Sequence, residues 1–147
     1  MVKIMFVCHG NICRSPMAEF IFKDIVNKNG DGDEFFVKSS ATSCEELGNP
    51  VYPPAKRELA KHGINCDGKF AIRLKKEDYE NYDMFICMDQ KNLRNALLIF
   101  GNDADGKVKM LLDRDVSDPW YSGDFETCYK DILKGCTNLY KKLKPLK

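Results

Sequence analysis

The sequence predicts an α/β fold, a three-layer sandwich with a four-stranded parallel sheet. Continuous apolar runs of strand length recur four times along the chain, as expected for strands that are buried on both faces. Segments with helical periodicity lie between these runs. This alternation is typical of a parallel sheet covered by helices, and in such folds ligands bind beyond the carboxyl ends of the strands.

The first half of the chain contains two predicted strands and a helix. Residues 4–7 form the first apolar run. A helix is predicted from Ser15 and Pro16, because serine is a favoured N-cap and proline is favoured at the first helical position. Residues 27–33 end this helix, and a second strand is predicted near residues 35–39.

The second half continues the alternation. The predicted elements are, in order, a helix from the two prolines at 53–54 to about 61, a strand at 82–88, a helix from the Asp89 cap to about 100, a turn at 101–106 and a strand at 108–112. A loop at 113–124 follows. After it, apolar residues recur every three or four positions from 125 to 143, which predicts a long amphipathic helix.

Length, charge and cysteine usage limit the classes of function. A chain of 147 residues has room for one core, so we expect a single domain over residues 1–147. With 23 Lys and Arg against 22 Asp and Glu, we expect no nucleic-acid binding through phosphates. No apolar stretch approaches the ~20 residues of a membrane span, and the chain start lacks a signal-peptide core. The odd number of cysteines, seven, indicates a reducing compartment, so we expect a cytoplasmic protein, and a monomer.

No metal or cofactor is expected. No two cysteines are spaced as in a zinc site, and neither His9 nor His62 completes a zinc pattern. Residues 102–106 are similar to the start of a calcium loop, but Lys107 follows and no glutamate arrives in register. This segment is therefore predicted to be a turn.

The segment between the first strand and the first helix indicates the chemistry. Residues 8–16 read Cys-His-Gly-Asn-Ile-Cys-Arg-Ser-Pro. Unpaired backbone N–H groups and the positive end of the helix dipole meet at such a place, and they favour a phosphate or a thiolate equally. Cys8 is therefore the candidate nucleophile of a phosphate-binding loop after strand 1.

The other loop residues fit this interpretation. Arg14 lies six positions after Cys8, far enough for the chain to wrap a tetrahedral anion and return a guanidinium fork to it. Gly10 can take a positive φ and let the backbone approach closely, whereas Asn11 can tolerate a left-handed backbone and brace the loop through its side-chain amide. Ser15 is expected to donate a hydrogen bond to the thiolate. In the alternative interpretation, Cys8 is merely a small buried residue and Arg14 a surface charge. That interpretation would not explain why all these features follow one another in this order.

The chain resembles the low molecular weight protein tyrosine phosphatases, whose hallmark loop is Cys, five residues, Arg, Ser near the chain start. The similarity continues at residues 39–48 and 83–97 and at Asp118-Pro119-Trp120-Tyr121, in the family's order and spacing. It therefore covers essentially the whole chain.

The resemblance implies hydrolysis of phosphotyrosine in proteins, or of other aryl phosphate monoesters, through a phosphocysteine. It implies that Cys8 attacks phosphorus, that Arg14 binds the phosphoryl oxygens, and that Asp118 protonates the leaving oxygen and then activates water. A phenol has a pKa near 10, so a carboxylic acid in reach is worth ~10²–10⁴-fold in rate.

The resemblance also implies substrate-binding and supporting residues. Trp120 and Tyr121 would form the walls of a slot for a flat aryl group. The implied substrate-binding residues of the loop are His9, Gly10, Asn11, Ile12, Cys13 and Ser15. The implied supporting residues are Ser39, Asp89 and Asn92, whose types are also ordinary in turns and caps.

Several residues depart from the family pattern and leave the exact phosphoprotein open. Glu45 stands where many members present an aromatic residue, and Trp120 replaces a frequent tyrosine. Ile12 occupies the position where related phosphoarginine phosphatases have threonine, which favours phosphotyrosine. His9 replaces a frequent hydrophobic residue, and it could contact the substrate or face solvent.

Two alternative functions remain from the sequence. A thiol-dependent arsenate reductase shares this fold and loop, but no cysteine follows Cys87 within forty residues to form the relay. A non-catalytic phosphate-binding redox sensor would not need Cys8, Arg14 and Asp118 together. Cys13 is a candidate resolving cysteine for Cys8, although it could simply be small enough to let the loop close.

Overall fold

Four parallel strands form one sheet. They are β1 (Val2–Cys8), β2 (Phe35–Ala41), β3 (Met84–Cys87) and β4 (Val108–Met110). Their order across the sheet is β2-β1-β3-β4, which confirms the predicted sheet. This computed structural model describes residues 1–144, and the last three residues of the predicted domain, 145–147, lie outside the described part.

Six helices accompany the sheet within residues 1–144. They are α1 (Arg14–Lys28), α2 (Pro53–Lys61), α3 (Asp78–Asn81), α4 (Gln90–Phe100), α5 (Pro119–Ser122) and α6 (Phe125–Leu143), with a 3₁₀ turn at Gly32–Glu34. The four long helices were predicted. The prediction missed α3, and it was wrong to leave 113–124 entirely as loop, because α5 lies there. Helices of four residues are too short to show a period.

The side chains of β1 alternate between two cores. Ile4 and Phe6 belong to one apolar cluster, and Met5 and Val7 belong to another, because successive side chains of a strand point to opposite faces of the sheet. All four are essentially buried. The first strand is therefore covered on both sides, as its continuous apolar run predicts.

Helices cover each face of the sheet. On one face, Phe22 of α1 and Ile132 of α6 belong to the same cluster as Ile4 and Phe6. On the other face, Phe100 of α4 packs in the second cluster. The result is the predicted three-layer sandwich. None of the helices within residues 1–144 has both the length and the apolarity needed to cross a membrane.

The start of α1 differs from the prediction. The N-cap residue is Cys13, without a side-chain capping bond, and Arg14 is the first helical residue. Ser15 lies inside the first turn, fully buried, and its hydroxyl is 3.0 Å from the Cys8 sulfur. The prediction of Ser15 as the cap was wrong because its hydroxyl pairs with another side chain. The Asp89 cap of α4 is confirmed, since its carboxylate accepts from the Asn92 N–H over 2.7 Å.

Candidate active site

The site lies at the carboxyl ends of the strands. Cys8 is the last residue of β1 and is buried. Its sulfur lies 3.3 Å from the backbone nitrogen of Asn11, which donates to it, and 3.0 Å from the Ser15 hydroxyl. The expected contact between Ser15 and Cys8 is therefore present, and the Asn11 N–H supplies a backbone donor to the sulfur.

The phosphate-binding loop contains a residue with a left-handed backbone, Asn11. Its φ is +61°, and it is the only non-glycine residue with a positive φ within residues 1–144. Gly10, which could also adopt a positive φ, does not, and Asn11 has the left-handed backbone that its residue type tolerates. Asn11 therefore carries the local backbone strain, and its side chain offsets that strain through hydrogen bonds to nearby groups.

The Asn11 side chain connects the loop to three parts of the chain. Its amide nitrogen donates to the hydroxyls of Ser15 and Ser39, over 2.8 and 2.9 Å. Its amide oxygen accepts from the Ile72 N–H over 3.1 Å. Neither Asn11 nor Ser15 is among the residues that line the pocket, and the hydrogen bonds of the Asn11 side chain brace the loop.

A buried charge network supports Ser39 and was missed by the sequence analysis. The Ser39 hydroxyl donates to Glu19 over 2.6 Å, and the Lys69 ammonium donates to the Ser39 carbonyl over 2.7 Å. Glu19 also pairs with Lys23 at 2.6 Å and with Lys69 at 3.5 Å. Burial lowers the pKa of Lys69, although Glu19 partly offsets this. No local pattern pairs residues 19, 39 and 69, so the sequence carried no signal for this network.

Arg14 is fixed by two acceptors, a half-buried carboxylate and a buried carbonyl. One guanidinium nitrogen, Nη1, donates to the Asp89 carboxylate and to the Val116 carbonyl, each over 2.8 Å. Burial alone would lower the pKa of Arg14, but Cys8, Asp89 and Asp118 outweigh it and raise the pKa. The guanidinium is therefore permanently charged and held in one plane beside the thiol.

Asp118 faces Arg14 across the pocket. Its Oδ2 lies 3.5 Å from Arg14 Nη2, whereas its Oδ1 accepts from the Trp120 N–H over 3.1 Å and caps α5. The carboxyl is 28% exposed, so it can exchange protons with water. The cap holds this carboxyl beside the guanidinium, in the lining of the pocket that also contains Cys8.

Two aromatic residues stand at the pocket mouth. Trp120 is half exposed and Tyr121 is 86% exposed. The Trp120 ring lies 4.8 Å from the Tyr52 ring, which in turn lies 6.1 Å from Phe125. The pocket is lined by Cys8, His9, Gly10, Ile12, Cys13, Arg14, Glu45, Glu46, Asp118, Trp120 and Tyr121. Tyr52, which packs against Trp120 at this aromatic wall, was not predicted from the sequence.

The remaining predicted residues have clear positions. His9 faces the rim, where its Nε2 lies 2.9 Å from Glu45 Oε2. Asn92 is buried in the first turn of α4, with its backbone nitrogen on Asp89. Neither Ser39 nor Asn92 lines the pocket, which agrees with supporting positions.

The cysteines differ in environment. Burial raises the pKa of Cys87 and of Cys128 to about 12. Burial, with the neighbouring Cys8, also raises the pKa of Cys13. These thiols stay protonated near neutral pH, whereas the Cys8 sulfur accepts a backbone hydrogen bond. Within residues 1–144, no group of three or more His, Cys, Asp and Glu side chains is arranged to hold a metal ion.

Comparison with known proteins identifies one family. The model of the family described as low molecular weight phosphotyrosine protein phosphatase matches residues 3–146. Low molecular weight protein-tyrosine-phosphatase YfkJ of Bacillus subtilis (strain 168) is 36% identical over 146 residues, 95% of this chain and 94% of that protein. Low molecular weight phosphotyrosine protein phosphatase of Mus musculus is 35% identical over 149 residues, with the same two shares.

Solved structures agree with this result. The crystal structure of YfkJ from Bacillus subtilis matches with a TM-score of 0.96 at 34% identity, covering 100% of this chain and 97% of that one. SP-PTP, a low molecular weight protein tyrosine phosphatase from Streptococcus pyogenes, matches with a TM-score of 0.91 at 38% identity, covering 97% and 93%. The chain belongs to the low molecular weight protein tyrosine phosphatase family.

Proposed function

We propose that this chain hydrolyses phosphotyrosine in proteins, and other aryl phosphate monoesters, through a phosphocysteine intermediate. The observation that carries the proposal is the convergence of the Cys8 sulfur, the Arg14 guanidinium and the Asp118 carboxyl on one pocket. A thiolate, a fixed cation and a proton carrier are the three groups that transfer of a phosphoryl group to sulfur requires.

Binding comes first. The phosphoryl group enters the loop at residues 8–14, where backbone N–H groups at the start of α1 favour an anion. Arg14 Nη1 is held by Asp89 and Val116, so the guanidinium meets the phosphoryl oxygens without reorganising. Pre-ordered charge of this kind favours the transition state over free substrate.

The chemistry then proceeds in two displacements. Cys8 attacks phosphorus, the bond to the tyrosine oxygen breaks, and Asp118 gives its proton to that oxygen. Asp118, now a carboxylate, takes a proton from a water that attacks phosphorus. The sulfur–phosphorus bond breaks, and inorganic phosphate and the Cys8 thiolate are released. No step requires a metal or cofactor.

The preference for aryl phosphates follows from the aromatic residues at the pocket mouth. Trp120, braced by Tyr52, and Tyr121 provide aromatic surface beside the loop. A phosphotyrosine ring can pack on these side chains while its phosphate reaches Cys8, whereas a phosphoserine has no ring to contribute. Phosphotyrosine is therefore the preferred substrate, and Ile12 in the pocket lining adds apolar contact.

The test compares initial rates on phosphotyrosine and phosphoserine peptides of one sequence, with acid quench to trap a phosphorylated enzyme. Rapid phosphotyrosine turnover with label on Cys8 supports the proposal. Absence of turnover would instead support a non-catalytic sensor. Arsenate reduction in the presence of thioredoxin would support the reductase, which the burial of Cys87 disfavours.

The chain acts, under this proposal, as one domain over residues 1–147 and as a cytoplasmic monomer on phosphoprotein substrates, without nucleic-acid or membrane partners. The odd number of cysteines, seven in a chain too large to need disulfide bonds, favours a reducing compartment. Light scattering at assay concentration tests the monomer, and fractionation of the source cells tests the location.

A further inference from the structure

Acidic side chains surround the pocket mouth. Three carboxylates line the pocket, those of Glu45, Glu46 and Asp118. Arg14 is the one Lys or Arg in the same lining, and its guanidinium is buried at the pocket floor and already paired with Asp89 at 2.8 Å. Among the described residues, 1–144, no lysine or arginine in the lining balances the negative charge at the outer part of the pocket.

Glu45 is the most accessible of these carboxylates. Its side chain is 70% exposed, and it reaches across the rim to His9, with Oε2 2.9 Å from Nε2. A protonated imidazole balances the charge of one carboxylate, and a neutral imidazole balances none. Glu45, Glu46 and His9 together are therefore negative in either state. Arg73 contacts the neighbouring Cys44 sulfur but does not line the pocket.

Glu46 lies directly over the phosphate loop. A Cβ at position 10 would lie 3.4 Å from Glu46 Cγ, so the Glu46 side chain lies beside Gly10 in space that a larger residue would occupy. The Glu46 carboxylate accepts from the Asn49 amide over 2.5 Å, which holds it in place. A fixed charge at this point lies beside any peptide whose phosphotyrosine occupies the loop.

We propose that Glu45 and Glu46 make this chain prefer phosphotyrosines flanked by lysine or arginine over those flanked by aspartate or glutamate. This inference rests on the proposed phosphatase activity and names the substrate class of the same pocket. The aromatic walls bind the ring, whereas the acidic rim selects the neighbours of the phosphotyrosine. Like charges at the rim repel an acidic peptide before its phosphate reaches Arg14.

The experiment measures kcat/KM for three peptides that differ only in the two residues flanking phosphotyrosine, both Lys, both Ala or both Glu. At low salt we expect the Lys peptide to exceed the Glu peptide by about 3- to 10-fold, the range that a few exposed charge pairs supply. The ratio should shrink as added salt screens the rim.

Charge-removing variants assign the preference to the rim. Glu45→Gln should lower the Lys-to-Glu ratio, and Glu45→Gln with Glu46→Gln should bring it close to one. The matched control is Glu80→Gln, an exposed glutamate in α3 at the opposite end of the sheet, which should keep the parent ratio. Each ratio is taken within one variant, so a general change in rate cancels.

The outcomes separate this inference from the proposed function. If all peptides are hydrolysed but the parent ratio is near one, or if the double variant keeps the parent ratio, the rim does not select substrate and the inference is wrong. If no peptide is hydrolysed, the phosphatase activity itself is wrong, and the inference is lost with it.

Discussion

The side-chain amide of Asn11 donates a hydrogen bond to the Ser39 hydroxyl over 2.9 Å. This bond joins the phosphate loop to β2, 28 residues away in the chain. Ser39 in turn donates to Glu19 over 2.6 Å, so one hydroxyl connects the left-handed loop residue to a buried carboxylate. The loop conformation therefore depends on a side chain that never meets the substrate.

Replacement of Ser39 tests this dependence. Ser39→Ala removes an acceptor from Asn11 and a donor from Glu19, both buried, so we expect a loss of about 1–3 kcal/mol in the free energy of unfolding. The freed loop should also bind phosphate more weakly. Urea unfolding and inhibition by inorganic phosphate measure the two effects.

The neighbouring serine is a matched control. Ser40 is equally buried, but its hydroxyl has no hydrogen-bond partner among residues 1–144. Ser40→Ala should therefore cost little and leave phosphate inhibition unchanged. Equal losses in the two variants would show that the bracing bonds contribute nothing specific.

Cys8→Ser should abolish turnover and keep phosphate binding. The cradle consists of backbone N–H groups and Arg14, which remain, whereas a hydroxyl is too poorly ionised to replace the thiolate. Calorimetry with phosphate and an aryl phosphatase assay check both halves. Cys44→Ser, at an exposed cysteine outside the pocket, should keep full activity. Activity of Cys8→Ser within tenfold of the parent would remove Cys8 as the nucleophile.

The sequence predicted those parts of the site that are continuous along the chain. The strand, the loop at residues 8–14 and the helix after it appear as an apolar run, a Gly-Asn pair and an Arg-Ser-Pro, and the four long helices have clear periods. These features are local, because a strand, a loop and a helix start are each determined within a few residues.

The bracing of the site could not be predicted in the same way. The contacts of Ser39 with Glu19 and Lys69 form only after the chain folds. No spacing in the sequence predicts them. Intrinsic preference allows a positive φ at both Gly10 and Asn11, and it is Asn11, whose side chain three partners hold, that adopts it. Tertiary hydrogen bonds decide what local preference leaves open.

Asp118→Asn should slow reactions in proportion to the basicity of the leaving group. The amide oxygen can still cap α5 at the Trp120 N–H, so the local fold survives, but the proton donor is lost. Phenyl phosphate should lose much more rate than an ester of a more acidic phenol, which needs little protonation. The measurement is the rate of single-turnover phosphorylation of Cys8 for a series of aryl phosphates. The slope of this rate against the pKa of the leaving phenol reports the need for a proton donor.

A control separates the acid from a general charge effect. Asp113→Asn removes an exposed carboxylate of the same loop and should leave the slope as in the parent. Equal losses for every leaving group in Asp118→Asn would exclude Asp118 as the general acid.

Asp103 should stabilise the fold only when it is ionised. It accepts from the Tyr79 hydroxyl over 2.6 Å and from the backbone nitrogens of Lys107 and Val108 over 2.7 and 3.0 Å. Burial alone would raise the pKa of Asp103, but these bonds outweigh it and lower the pKa below 3.8. Since the folded pKa is depressed, this stabilisation is present above the unfolded pKa and is lost as pH falls through the folded pKa.

The Asp103→Asn variant tests this direction of the pH dependence of stability. We expect it to lose about 1–2 kcal/mol of unfolding free energy at pH 7, and the difference from the parent should shrink as pH falls below about 4. Asp105→Asn, at an exposed position in the same turn, is the control. A difference that is constant from pH 7 to pH 3 would contradict the role of the ionised carboxylate.

Cys13 should protect Cys8 from irreversible oxidation. Both thiols line the pocket, and burial with the nearby Cys8 raises the pKa of Cys13, so peroxide reacts first at Cys8. The Cys8 sulfenic acid can then condense with the Cys13 thiol, which forms a disulfide and releases water. We expect peroxide inactivation that a dithiol reverses in the parent but not in Cys13→Ser, each compared with its own untreated activity. Peptide mapping decides the matter: Cys8 found as sulfinic or sulfonic acid without a link to Cys13, with equal recovery in both proteins, would leave Cys13 only the role of a small residue that lets the loop close.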